Sequence, residues 1–141
     1  MEQIMQVSRD FTIAVHTLLC ISYFGKENKV TSDFIASSVG VNPVIIRNLL
    51  IKLKNAGLIE VKAGTGGATL AKDAKKISFL DIYKAAGCDE KPVFNFHEHP
   101  NPKCPVGGHI HDVLDCRLDT LQAALNAKMK SMSLADVEND L

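Results

Sequence analysis

The sequence predicts a mainly α-helical fold with a small β-hairpin: a winged helix-turn-helix domain plus a long C-terminal dimerisation helix. Three stretches carry that prediction. NPVIIRNLLIKLKNA, Asn42 to Ala56, opens with a side chain that accepts hydrogen bonds from orphan helix amides, followed by a proline where a helix tolerates a missing N–H. Directly behind it, LIEVKAGTGGATLAK reads as two short apolar-alternating runs around a glycine-rich turn. From Pro105 to about Met132 the residues Val106, Ile110, Val113, Leu114, Leu118, Leu121, Leu125 and Met129 recur mostly at steps of three and four, which predicts one long amphipathic helix.

In chain order, Ser8 is expected to cap a first helix running to Phe24. Its residues Ile13, Val15, His16, Leu18, Leu19, Ile21 and Ser22 give an apolar surface broad enough to be largely buried. His16 and Cys20 fall four apart, a ligand-pair spacing, but they read better as a core-edge imidazole and a small buried thiol. Gly25 stops this helix. Thr31 or Ser32 caps a second one, with Phe34, Ile35 and Val39 facing inward, and Gly40 breaks it. The few residues before Pro43 are the tight connection of a helix-turn-helix. In the third helix Ile46, Leu49, Leu50 and Leu53 face inward, while Val44, Arg47, Asn48, Ile51, Lys52 and Lys54 lie wholly or partly off that stripe; Gly57 ends it. Ser78 caps a further helix, SFLDIYKAAG, whose Phe79, Ile82 and Tyr83 are available to pack on the first, and Gly87 ends it. Asp89 to Lys103 reads as an irregular, flexible loop. Ser133, with Asp136 in a capping-box position, starts a short terminal helix expected to dock near the first helix or a partner. The chain thus divides into a DNA-binding domain over 1–87, a loop over 88–104, and a dimerisation helix with a short terminal helix over 105–141.

Composition bounds the function. With 141 residues and 46% hydrophobic content, the chain suits one core, and no apolar run approaches the roughly 20 residues needed to span a bilayer. The beginning, MEQIMQVSRD, has no basic segment followed by an apolar block, so the expected location is the cytoplasm, where four scattered cysteines do not make a disulfide scaffold. Net charge is zero, yet segregated. Residues 1–80 hold ten Lys/Arg against six Asp/Glu, and residues 81–141 the reverse. A local positive face suffices for phosphate, because screening makes distant acidic groups largely irrelevant.

In a helix-turn-helix the start of the second helix enters the major groove. There Asn42, Val44, Ile45, Arg47 and Asn48 are the side chains placed to reach bases or phosphates, with Arg47 first because its planar fork matches guanine's two acceptors. The plainer alternative for Arg47 and Asn48 is an exposed, solubilising residue; for Asn42 it is a cap alone. In the wing, Gly64, Thr65, Gly66 and Gly67 allow close backbone approach to a phosphate; the plainer alternative is a hairpin turn. The run lacks the Gly-Lys-Ser/Thr ending of a nucleotide-binding loop. Two other classes compete: a winged-helix module that binds an acidic protein, and a metal- or thiol-dependent enzyme. The enzyme ranks last, because no base, nucleophile and orienting group fall at interpretable spacing.

The order of elements, the AGLIEVKAGTGGATLAKD wing, ISFLDIYKAAG and CPVGGHIHDVLD together resemble the Rrf2 family of bacterial transcription regulators over nearly the whole chain. The resemblance is closest to a branch with NPVxxR in the recognition helix and an Asn-Pro-x-Cys-Pro-Val-Gly run, here Asn101 to Gly107. It implies a homodimer that binds a palindromic operator in double-stranded DNA, usually as a repressor; a redox or small-molecule effector is the expected signal. Many members place Arg beside the wing's first glycine for a minor-groove contact; this chain has Ala63, leaving Lys62 as the substitute. Members that carry an iron–sulfur cluster hold it with three closely spaced cysteines, and Cys88, Cys104 and Cys116 lack that pattern, so no cofactor is expected. His97, His99, His109 and His111 with Cys104 form the residual metal set, weakened because His109 and His111 point apart on a helix. Cys104, beside a helix start at Pro105, is the candidate sensor thiol, its plainer alternative being a buried structural cysteine.

Overall fold

The computed structural model describes residues 9–62 and 67–141. In chain order it has α1 (Arg9–Phe24), α2 (Ser32–Val39), α3 (Pro43–Asn55), β1 (Ile59–Val61), β2 (Ala68–Leu70), α4 (Phe79–Ala85), α5 (Ile110–Ser131) and α6 (Leu134–Glu138). Short 3-10 turns sit at Ala74–Lys76, Cys88–Glu90 and Gly107–His109. The expected Ser8 cap, Ala63 and the wing residues Gly64, Thr65 and Gly66 lie outside the described residues.

Helix starts follow from side chains that satisfy orphan amides. Thr31, rather than Ser32, caps α2 by accepting from the Phe34 N–H at 3.2 Å, and Asn42 Oδ1 accepts from the Val44 N–H at 2.8 Å with Pro43 in the first turn of α3. Ser78 with Asp81, and Ser133 with Asp136, complete reciprocal capping boxes at α4 and α6. Gly40 and Gly57, at φ 86 and 79, take the left-handed residue after α2 and α3.

The core gathers Leu18 and Ile21 of α1, Ile35 of α2, Ile46 and Leu53 of α3, Leu58, Ile59, Ile77 and Ile82, all fully buried. Phe11 meets Phe79 and Tyr83 edge-on at 5.8 and 5.7 Å, which docks α4 on α1 as expected. The C-terminal end returns to this body. The Phe79 N–H donates to the Met132 carbonyl at 2.8 Å and the Leu134 N–H to the Ile77 carbonyl at 2.9 Å, an antiparallel bridge between Ser78 and Ser133. Leu134 is thereby fully buried, and the Ser22 hydroxyl donates to the Glu138 carboxylate, fixing α6 against α1.

The hairpin pairs Ile59 with Leu70, Glu60 with Thr69 and Val61 with Ala68. It is rooted on the segment between α1 and α2, where the Ala68 N–H donates to the Val30 carbonyl at 3.0 Å. Gly67 has φ 69, and a Cβ there would lie 2.9 Å from the Val30 nitrogen, so glycine is required by packing as well as by conformation.

Several expectations are corrected. The long helix begins at Ile110, not Pro105, because residues 101–109 fold into a tight knot. There the Gly108 N–H reaches the Cys104 carbonyl at 2.7 Å, and a Cβ on Gly107 or Gly108 would come within 2.5 Å of the Asn101 oxygen or 2.7 Å of the Pro102 oxygen. Phe34 does not face inward. It is 39% exposed and rests on the Phe24 ring at 5.1 Å, because the two-turn α2 aims Ile35 and Ala36 at the core. The apolar surface of α1 is only partly covered: Phe11, Val15, His16 and Leu19 line an open groove of about 720 Å³. The loop before the knot is tied to α5, since Phe96 stacks on His111 with ring centroids 3.9 Å apart.

Replacing Gly40, whose added Cβ meets open space, is expected to cost about 1–2 kcal/mol for the left-handed conformation alone. Gly67→Ala should lower the urea midpoint clearly more than Gly40→Ala; equal losses would show that the approach to Val30 imposes no constraint.

Candidate DNA-binding surface

Burial of Ile46, Leu49, Leu50 and Leu53 fixes the roll of α3 and leaves its other side to solvent. Val44 and Ile51 are 50% and 57% exposed there, and Arg47 and Asn48 are exposed beside them. Asn42 is also exposed, but its side-chain oxygen is engaged by the Val44 amide, so it acts first as a cap. Ile45 is half-buried; it shares a shallow hollow with Asn48, Lys52 and Asp10 at the start of α1. Arg47 and Asn48, neighbours in sequence, therefore turn to different sides: Asn48 towards α1 and Arg47 towards the hairpin.

The hairpin side is a groove lined by Arg47, Ile51, Lys54, Val61, Lys62 and Gly67, with Val30, Thr31 and Ser32 at its foot. The Lys62 N–H donates to the Gly67 carbonyl at 3.1 Å and closes the neck of the wing. Among the described residues, the groove lining carries three cations and no carboxylate. Sequence reasoning left Ile51 without a role and gave Lys54 none beyond its charge, although they follow Arg47 by four and seven positions and so share its line on the helix. Thr31 and Ser32 carried no such signal. They arrive only because the start of α2 lies against the hairpin.

The four cysteines occupy different settings. Cys20 is buried, and its thiol lies 3.5 Å from the Ser38 hydroxyl, which His16 Nε2 also meets at 2.9 Å; the pair shares a hydroxyl at the core edge, as expected. Cys104 is partly exposed in the 101–109 knot, where the Gly107 and then the Val106 backbone N–H hold its thiol below the ordinary range. Burial pushes the Cys88 thiol up, with Asp10 adding to the effect. Cys116 is exposed on α5.

The Rrf2 family model, described as an iron-dependent transcriptional regulator, matches residues 7–140. The chain belongs to the Rrf2 family. YwnA of Bacillus subtilis (strain 168), provisionally named an HTH-type transcriptional regulator, is 40% identical over 135 residues, spanning 96% of this chain and 98% of that protein. A crystal structure of a provisionally assigned DNA-binding protein has 38% identity and a TM-score of 0.72, covering 91% of this chain and 97% of the other. A provisionally assigned transcriptional regulator from Lactobacillus plantarum has 25% identity and a TM-score of 0.75, covering 94% and 89%. This Rrf2 protein is a DNA-binding regulator of transcription, not an enzyme.

The family's description includes iron. Cys88, Cys104 and Cys116 lie on three separate elements, and among the described residues no group of three or more His, Cys, Asp or Glu is arranged to hold a metal ion. His111 is paired with Asp115 at 3.1 Å, and His109 Nδ1 meets the Pro105 carbonyl at 2.8 Å. No single helix among the described residues is long and apolar enough to cross a membrane.

The opposite shifts of two thiols give a pH signature. Cys104 keeps its thiolate at pH values where an ordinary thiol has protonated, so its alkylation should stay fast as pH falls, while Cys88 reacts only at more alkaline pH. Brief iodoacetamide exposure across pH, read by peptide mass spectrometry, tests this; identical profiles for the two would remove the backbone amides as the cause.

Proposed function

We propose that this Rrf2 protein is a cytoplasmic homodimeric repressor that grips a palindromic operator with α3 and the hairpin of both copies. Residues 1–87 form the DNA-binding domain, 88–104 the loop that connects it, and 105–141 the dimerisation segment. The observation that most supports the pairing is α5. Among the described residues Met129 alone is buried along its 22 residues, while Val113 and Leu121 stand 50% and 51% exposed. A twin helix covers that stripe, and two-fold symmetry sets the two α3 helices about 34 Å apart, the spacing of successive major grooves.

Within each head, Arg47 reads a base edge, with Val44, Ile45, Asn48 and Asn42 around it. Lys62 and the wing glycines Gly64, Gly66 and Gly67, with Thr65, meet the backbone. Cys104 is the entry point for a redox signal, supported by the amides that favour its thiolate. No cofactor is assigned.

Selection of bound sites from random duplexes, followed by fluorescence anisotropy, tests the assignment. Arg47→Ala should weaken the selected site by about 1–3 kcal/mol and relax sequence preference, whereas Lys62→Ala should weaken all DNA alike and reduce the salt slope by about one. Uniform losses on specific and random DNA for both variants would remove Arg47 as the reader. For the dimer, Leu121→Asp should sediment as a monomer and lose most of its affinity for the selected site; a monomeric parent at working concentration would sink the two-fold arrangement.

A further inference from the structure

The groove between α3 and the hairpin, about 420 Å³, combines two characters that few occupants share. Its lining is cationic, with Arg47 and Lys54 from α3 and Lys62 from just past the end of β1. Between the cations, Ile51 and Val61 present large aliphatic side chains 57% and 41% exposed, with Leu50 beneath them. Ile51 lies eight residues beyond Pro43, roughly 12 Å along the helix axis, past the turns that reach base edges. Phosphate binding explains the lysines but gives the two aliphatic residues nothing to do.

A DNA strand supplies both matches. Its phosphates alternate with deoxyribose rings whose C2′ carries only hydrogen, an apolar face that a ribose lacks. We propose that this groove seats one sugar–phosphate strand, phosphates on Lys54 and Lys62 and a deoxyribose C2′ face against Ile51 and Val61. The contact thereby excludes a 2′ substituent and makes the protein choose DNA over RNA by shape at that sugar. The inference rests on DNA binding by α3 and adds Ile51, Lys54 and Val61 to the residues that make it.

Single 2′-O-methyl substitutions scanned through both strands of a selected duplex provide the test, measured by anisotropy with the parent protein and with the Ile51→Ala/Val61→Ala variant. Both side chains are exposed, so circular dichroism should show an unchanged fold. In the parent, one or two adjacent sugars in each half-site should weaken binding about tenfold or more when substituted, and the penalty at those sugars should fall below about threefold in the variant. A change of sugar pucker by itself would penalise both proteins alike. Absence of any sensitive sugar, or the same penalty in both proteins, overturns the proposal while leaving DNA binding intact. Failure of the parent to bind any unmodified duplex overturns the DNA reading and this contact with it, and the unmodified controls identify that case.

Discussion

The seating of Ile46, Leu49, Leu50 and Leu53 in the core is the constraint on which the rest of this molecule depends. Four apolar contacts spaced over two turns leave α3 a single favourable rotation about its axis, because any other would expose leucines and bury Arg47 or Lys54. That rotation decides which side chains α3 presents to solvent. It also places Ile51 and Lys54 opposite Val61 and Lys62, so the groove beside the hairpin is a by-product of core packing that the surface residues then exploit.

The hairpin is positioned by a different kind of contact. Its strands are three residues each, too short to hold an orientation by pairing alone. Orientation comes from the Val30 backbone, which receives the Ala68 N–H and leaves no room for a side chain on Gly67. Thus Gly67, expected from its sequence to approach a phosphate, has a structural reason for being glycine that needs no ligand.

Legibility in the sequence followed the range of the forces. Caps at Asn42, Ser78 and Ser133, the stripe of α3 and the glycines after α2 and α3 are settled within about one helical turn, and each was readable from neighbours. The start of α5 was misread because the helical spacing of Val106 and Ile110 continues through the knot, while the crowding of Gly107 on Asn101 depends on a fold in the chain. Phe34 was misread because an eight-residue helix gives too few positions to decide which side of a stripe faces inward. At the candidate site, the charged members were visible as part of the basic excess over residues 1–80. Thr31 and Ser32 were not, since only the seating of the hairpin on Val30, just ahead of them in the chain, brings them to the groove.

The bridge between Ser78 and Ser133 joins the foot of α5 to the head of α4 through main-chain hydrogen bonds on both sides. Peptide groups do not rotate away as side chains do, so this joint constrains the two helix ends more than a pair of side chains would. The end of the long helix and the start of α4 are therefore held at one angle, and α4 in turn packs on α1 and on α3, the helix that carries the candidate DNA-binding side chains.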